Sequence, residues 1–245
     1  MKKIVIFFYG MCLFILSSCN TLSFRSESQN KTMEPLILGN IGSGKEFILQ
    51  NKFNNVSYPT YTKPIKVSAS KKPFDKSTYK SFLKAKQSQS NTVNIKYVDS
   101  IKEKPYYLEL NIADRVTLVN ALNDKINDDV KEYLSINPSA NLITNLSIAL
   151  NQDNLKKVVQ AKSIFLIEKP LKTYTLKLLT SDNKTEFLNF NEGIVFGYKT
   201  ANCCWKENGT RELNIVDLVS TYSNCPNNAY RSANRAKKKI NYFKL

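Results

Sequence analysis

The sequence predicts an α+β fold in which helices pack on a mostly antiparallel sheet, with a C-terminal half rich in strands. Two observations lead to this prediction. Apolar residues alternate with polar residues in several short segments, which is typical of half-buried strands. Other segments carry apolar residues at helical spacing behind a capping residue. From Ile164 onward the alternating segments follow one another closely, so strands should dominate there.

Between residues 57 and 162 the two kinds of segment take turns along the chain. Segment 57–73 holds three prolines among aromatic and β-branched residues, which predicts extended chain or an edge strand, because proline donates no backbone hydrogen bond. Alternation predicts further strands at 92–98, 105–112 and 142–150. Helical spacing predicts helices at 76–87 with Asp75 as the cap, at 114–122, at 125–134 and at 153–162.

The last third of the chain is predicted to be mainly strands. Segment 164–167 is short and fully apolar, as in a central strand. Segment 173–190 is predicted to be a hairpin, because its two alternating halves flank a turn at 181–184. Further strands are predicted at 193–200 and 213–222, and a basic helix at 230–239.

The first twenty residues carry the features of an export signal. Lys2 and Lys3 precede thirteen uncharged residues, 4–16, a stretch shorter than the roughly twenty apolar residues of a spanning helix. Leu16-Ser17-Ser18-Cys19 then resembles the lipobox of bacterial lipoproteins. The resemblance implies transfer of diacylglycerol to the Cys19 thiol, cleavage after Ser18, and a lipid-anchored protein that faces the periplasm or the cell exterior. Asn20 in place of aspartate favours the outer membrane over the inner.

These features divide the chain into three parts. Residues 1–18 are interpreted as the signal peptide, and 19–34 as the lipidated cysteine with a polar, flexible tether. Residues 35–245 are predicted to form a single α+β domain, with a possible sub-boundary near 137–141.

The chain is strongly basic, and its charge is unevenly distributed. Removing residues 1–18 lowers the formal net charge only from +16 to +14. Two basic ends, 63–86 and 226–245, flank an acidic middle. Such a surface attracts anionic polymers or lipid headgroups. Lysine accounts for 31 of the 36 basic residues and lacks the forked geometry of arginine, so nucleic acid is the least favoured partner. Abundant lysine and asparagine together are also what an AT-rich genome produces.

The absence of histidine narrows the possible chemistry. It excludes Ser-His-Asp and Cys-His mechanisms and histidine-ligated zinc. No catalytic residue, metal site or cofactor is therefore predicted. Gly39 to Lys45 matches the start of a nucleotide-binding P-loop, but Glu46 stands where Ser or Thr must hold magnesium. A glycine-rich turn explains this run better. Asp128, Asp129 and Glu132 are interpreted as a solvated helix face.

Two sets of residues are candidates for a functional or structural site. Bases and aromatic residues interleave near the C-terminus, a pattern that can hold a polyanion or a solvated terminal helix. The polyanion-binding candidates are Arg231, Arg235, Lys237, Lys238, Lys239 and Tyr242. Three cysteines follow Cys19 in an oxidising compartment, so Cys225 is predicted to form a disulfide with Cys203 or Cys204. The third pairing, between the neighbours Cys203 and Cys204, would form a strained ring and is rare.

Three hypotheses of function follow. The first is a non-catalytic, lipid-anchored envelope protein that binds a partner protein or an anionic envelope polymer. The second is a structural subunit of an envelope or secretion assembly, with an apolar partner surface. The third is a hydrolase that uses carboxylates or a lysine, which would need a cleft holding ionisable groups of perturbed pKa.

Overall fold

The computed structural model describes residues 29–47 and 50–237, and it has the α+β class that the sequence predicts. The strands of this part of the chain form one antiparallel sheet. They are β1 (Asn30–Lys31), β2 (Ile41–Phe47), β3 (Gln50–Ser57), β4 (Ile65–Pro73), β5 (Tyr106–Ile112), β6 (Ala140–Ala149), β7 (Ser163–Lys169), β8 (Thr173–Leu179), β9 (Thr185–Asn189), β10 (Ile194–Glu207) and β11 (Leu213–Ser220). The α-helices are α1 (Lys76–Ser88), α2 (Arg115–Leu122), α3 (Asp128–Ile136), α4 (Gln152–Gln160) and α5 (Ala233–Ala236).

The sheet is organised around two long strands, β6 and β10. Its main order is β1-β10-β6-β5-β4-β7-β8-β9. The second half of β10 pairs with β11, and the beginning of β6 pairs with β2, which in turn pairs with β3. Most neighbours are therefore far apart in sequence, and β10 joins the two ends of the described chain.

Apolar side chains bury the two faces of the sheet to different extents. The larger core lies on one face, where helices α2 to α5 contribute buried leucine, valine and alanine side chains. A smaller cluster lies under α1 and is mainly aromatic. In that cluster the Phe74 ring lies 5.0 Å from the Tyr107 ring and 5.6 Å from the Phe196 ring. Helix α1 thus covers one end of the second face.

Helices α1 and α2 both begin at aspartate caps. The Asp75 carboxylate accepts a hydrogen bond from the Thr78 backbone N–H (2.7 Å), and the Thr78 hydroxyl accepts one from the Asp75 N–H (2.8 Å). Asp114 accepts from the Thr117 N–H in the same way (2.9 Å). Because these bonds favour the ionised form, the pKa of each aspartate is lowered. The cap predicted at Asp75 is confirmed.

Two predictions in the first half of the chain need correction. The chain is extended within 57–73, but the strand there is interior and not at an edge, because β4 pairs with both β5 and β7 and its prolines lie at or outside its ends. Segment 92–98 is not a strand. Its alternation arises because Val93 is buried in the smaller cluster and Tyr97 stacks on Tyr79 of α1, with 4.8 Å between ring centroids.

Two predictions near the ends of the described chain also need correction. The tether predicted for 19–34 ends earlier, because Asn30 and Lys31 pair with β10 and Thr32 is buried. The helix predicted for 230–239 is reduced to α5 in its described part. Tyr230 instead forms a bridge with Trp205, in which each backbone N–H donates to the other residue's carbonyl, over 2.7 and 2.9 Å.

None of the helices in the described ranges is long and apolar enough to cross a membrane. The longest, α1, has thirteen residues and a charged outer surface.

The turn between β7 and β8 holds an exposed leucine in an unfavourable backbone conformation. Leu171 and Lys172 both have positive φ angles, 62° and 53°. Side chains with a Cβ disfavour this region by about 1–2 kcal/mol per residue, and two-residue hairpin turns usually place Asn and Gly there. The Leu171 side chain is 94% exposed, so packing does not compensate.

Replacing Leu171 by asparagine should therefore stabilise the protein. Asparagine tolerates positive φ, and no buried contact is lost, so we expect the free energy of unfolding to rise by about 0.5–1 kcal/mol. Urea denaturation of L171N and wild type measures this change. The control L171V should be less stable than wild type, because β-branching disfavours the same conformation. An L171N protein no more stable than L171V would contradict the assignment of strain to this turn.

Candidate functional site

The face of the sheet opposite the larger core is open beyond the end that α1 covers. We call it the open face and define it by side chains of seven strands. They are Lys66, Ser68, Ser70, Lys72, Glu109, Asn111, Asn145, Ser147, Phe165, Lys169, Lys177, Phe187 and Lys199.

Strand register explains why these residues share one face. Residues that pair directly in an antiparallel ladder point to the same side of the sheet. The pairings place the open-face residues in rows across the strands. One row is Lys66, Phe165, Lys177 and Phe187; the next is Ser68, Asn111, Asn145 and Lys199; a third is Ser70, Glu109, Ser147 and Gly197.

The open face is basic. Five of its thirteen defining residues are lysines, and Glu109 is its single acid. Neighbouring strands lie about 4.8 Å apart, so Lys66 on β4 and Lys177 on β8 stand about 10 Å apart across the sheet. Lys169 lies over the half-exposed Phe187 ring, with 4.5 Å between Nζ and the ring centroid. The surface therefore offers cations and aromatic area together.

The Glu109 carboxylate is paired with neighbouring side chains. One carboxylate oxygen, Oε1, accepts hydrogen bonds from Gln29 Nε2 and Asn145 Nδ2, each over 3.0 Å. The other, Oε2, lies 4.0 Å from Lys72 Nζ. Because the carboxylate is already paired, it reduces the attraction of the remaining lysines for an anion only locally.

Gln29 fastens the beginning of the described chain to this surface. Its Nε2 also donates to Asn145 Oδ1 (2.8 Å), and its Oε1 accepts from the Ser147 hydroxyl. Gly197 lies beneath it, and a Cβ at that position would stand 2.8 Å from Gln29 Oε1. A side chain at position 197 would therefore displace the Gln29 amide from its present position.

The predicted C-terminal candidates do not form a basic helix in the described residues. Arg231 Nη2 donates to the backbone carbonyls of Ser220, Thr221 and Ser223, so this nitrogen holds the loop after β11. Arg235 and Lys237 are exposed on and after the single turn of α5. The remaining candidates, Lys238, Lys239 and Tyr242, lie outside the described residues, as does Cys19.

The structure resolves the two disulfide alternatives in favour of Cys204. Cys204 and Cys225 are bonded, with 5.6 Å between their Cα atoms, and the bond ties the loop after β11 to β10. Their separation of 21 residues corresponds to about 3 kcal/mol of stabilisation from loop closure. Cys203 points to the opposite side of β10 and is a buried free thiol.

The glycine-rich run and the acidic cluster do not form a ligand or metal site in the described residues. Gly39 has a φ of +84° and forms a turn, but the run that follows enters strand β2, whereas a P-loop leads into a helix. Asp128 and Asp129 lie in the first turn of α3, where carboxylates are favoured by the helix dipole. Across the described ranges, no three Cys, Asp or Glu side chains come together to hold a metal ion.

Sequence reasoning missed the open face because its residues lie far apart in the chain. The signal was present in β4, where Lys66, Ser68 and Ser70 alternate with apolar or small residues. The prolines that flank this segment predicted extended chain or an edge strand instead. The partner strand β5 was predicted, but pairing could not be inferred from either segment alone.

No protein-family model matches the chain, and searches of curated proteins and of solved structures find no match either. The fold and the site thus define the protein as an α+β protein with one helix-covered sheet face and one open, basic sheet face.

Cys203 should be chemically silent in the folded protein. Burial raises the pKa of its thiol to about 12, so at pH 8 it is protonated and a poor nucleophile. We expect iodoacetamide at pH 8 to alkylate Cys203 only after unfolding, with the Cys204–Cys225 bond intact. Peptide mapping by mass spectrometry measures both. Alkylation of native Cys203, or a Cys203–Cys225 bond, would contradict this arrangement.

Proposed function

We propose that the mature protein is a non-catalytic, lipid-anchored envelope protein whose open face binds an anionic envelope polymer. The single observation that supports this most strongly is the convergence of Lys66, Lys72, Lys169, Lys177 and Lys199 on one sheet face. These lysines come from four strands spread over more than 130 residues. A merely lysine-rich composition would not require them to share a face with one paired acid.

The geometry suits a polymer better than a small ligand. Individual exposed charge contacts contribute little, about 0–1 kcal/mol each, so useful affinity needs several at once. A chain with an anionic group every few ångströms meets Lys66 on β4 and then Lys177 two strands away on β8 as it crosses the sheet. Ser68, Ser70 and Asn111 lie between the lysines, are not buried, and can donate to hydroxyl or carboxylate oxygens.

The proposed lipid anchor would hold the open face near a membrane. Ten residues separate Cys19 from Gln29, and an extended chain of that length reaches at most about 36 Å. Because Gln29 is bound to the open face, that face would stay within this distance of the acylated cysteine. The outer membrane, facing the periplasm or the exterior, is the proposed location.

A second candidate function is that of a subunit in an envelope or secretion assembly. The observation that favours it is a group of apolar side chains exposed on and around α2 and α3. Val116 is 72% exposed, Ile136 68% and Ile126 57%. Exposed apolar groups of this kind mark protein contacts when they form a continuous patch.

The hydrolase alternative has less support. Tyr61 and Tyr174 have raised pKa values because they are buried, and their hydroxyls donate to the backbone carbonyls of Gly39 and Pro59. These contacts are structural, and they do not place an acid and a base around a cleft.

Neutralising two open-face lysines should weaken polymer binding. We expect K66Q/K177Q to bind a defined oligogalacturonate roughly ten- to thirtyfold less tightly at low salt, because each lysine near an anionic surface contributes about 1 kcal/mol. The difference should shrink as salt rises. Isothermal titration calorimetry at several salt concentrations measures both quantities.

The matched control is K125Q/K156Q, which makes the same change in net charge. Lys156 lies in α4, and Lys125 lies in the short 3-10 helix between α2 and α3. The buried apolar residues of α2, α3 and α4 belong to the larger core, on the side of the sheet opposite the open face. This control should bind almost as tightly as wild type. Equal losses in both double variants would show that only net charge matters, and would overturn the assignment of the binding surface.

The anchor has its own test. Replacing Cys19 by alanine removes the thiol that would accept the lipid, so the variant should not be acylated, whether or not its signal peptide is cleaved. Mass spectrometry of the N-terminal peptide should show acyl chains on Cys19 in wild type and none in C19A. A wild-type N-terminus without lipid would contradict the lipoprotein assignment and leave the open face to be tested separately.

A further inference from the structure

A pocket opens at the rim of the open face, where β5 ends and β6 changes its pairing. Its volume is about 160 Å³. Its lining includes Asn111, Arg115, Leu118, Thr144, Lys199 and Leu218. Of the eleven lining residues, two are cationic, five are neutral and polar, and none is acidic.

A β-bulge shapes this pocket. Along β10, Lys199 pairs with Asn145, but the next residue, Thr200, pairs with Ile143. Thr144 is therefore an extra residue in β6. It lines the pocket together with three of the residues paired beside it, Asn145, Lys199 and Thr200. Bulges bend a strand and redirect side chains, and they are frequent beside binding sites.

The donors around the pocket are held in position by neighbouring residues. Asn111 Oδ1 accepts a hydrogen bond from Asn145 Nδ2, which leaves the Asn111 amide nitrogen to act as a donor. Arg115 Nη1 donates to the Leu218 carbonyl over 3.3 Å, so only part of its five N–H groups is used. The adjacent carboxylate, Asp114, is bound to Thr117 by its backbone N–H and its hydroxyl.

The apolar part of the lining strengthens the electrostatics of the pocket. Leu118 and Leu218 are buried in the larger core, so the base of the pocket has a low local dielectric. An anion there interacts more strongly with Arg115 and Lys199 than it would on the flat surface. The volume is below the roughly 300 Å³ of a drug-sized ligand site, so one charged group fits rather than a whole sugar unit or nucleotide.

We propose that this bulge pocket binds a single carboxylate or phosphate group, with Arg115 and Lys199 as the cations and Asn111 as an amide donor. The inference rests on the proposed function in that the group would be a terminal or pendant anion of the polymer on the open face. The other open-face lysines, Lys66, Lys72, Lys169 and Lys177, attract the chain, and the pocket fixes its position along the sheet.

The test uses small anions, so that binding in the pocket is measured apart from binding of a polymer to the other open-face lysines. The ¹⁵N-labelled protein is titrated with inorganic phosphate, with galacturonate and with neutral galactose, and side-chain amide and arginine resonances are followed by NMR. We expect saturable shifts of the Asn111 and Arg115 signals with one or both anions and none with galactose. The anion that binds more tightly identifies the group as phosphate or carboxylate.

Variants separate the pocket from general charge effects. R115Q should weaken anion binding at least tenfold, and K199Q, which changes a strand residue on the other side of the pocket, should also weaken it. R211Q is the matched control, because Arg211 is an exposed arginine in the turn between β10 and β11. K125Q/K156Q, which changes lysines outside the open face and the pocket, should leave the small-anion titration unchanged.

The outcomes distinguish the two proposals. Small-anion shifts that R115Q and K199Q reduce, without polymer binding by the open face, would support the pocket and overturn the polymer function. Polymer binding that depends on Lys66 and Lys177, without saturable shifts at Asn111 and Arg115, would overturn the pocket. Equal weakening by R115Q and R211Q would also overturn it.

Discussion

The register between β6 and β10 is the constraint on which the rest of the structure depends. A slip of one residue would turn every side chain of a strand to the opposite face. The observed register places Leu146 in the larger core and directs Asn145 and Ser147 to the open face. It also sets the bulge at Thr144 that forms the pocket. The larger core, the polar face and the pocket therefore follow from one set of backbone pairings.

The sequence predicts most strands and helices because their periods are local properties. Alternation at residues 105–112 and a capping aspartate at 75 suffice for β5 and α1. Local patterns fail where tertiary packing imitates them, as at Val93 and Tyr97, which alternate against a helix without a ladder. The open face could not be predicted, since a row such as Ser68, Asn111, Asn145 and Lys199 depends on pairings across 131 residues.

The positions of the lysines, rather than their number, indicate a binding surface. Other lysines of this chain lie on helices, where some are paired within the protein, as Lys131 is with Glu212 and Lys157 with Glu186. On the open face five lysines from four strands share one surface, and the one carboxylate is held by Gln29, Asn145 and Lys72. At the other end of the chain, Arg231 looks equally suited to an anion in the sequence. In the structure it binds three backbone carbonyls and holds the disulfide loop.

Lysine footprinting tests the central claim most directly, because the protein contains its own controls. Acetylation by an amine-reactive reagent, with and without bound oligogalacturonate, is read residue by residue by mass spectrometry. The account predicts slower labelling of Lys66, Lys72, Lys169, Lys177 and Lys199 in the complex, and unchanged labelling of Lys125 and Lys156. Protection confined to Lys237, Lys238 and Lys239 would contradict it and would assign polymer binding to the C-terminal run.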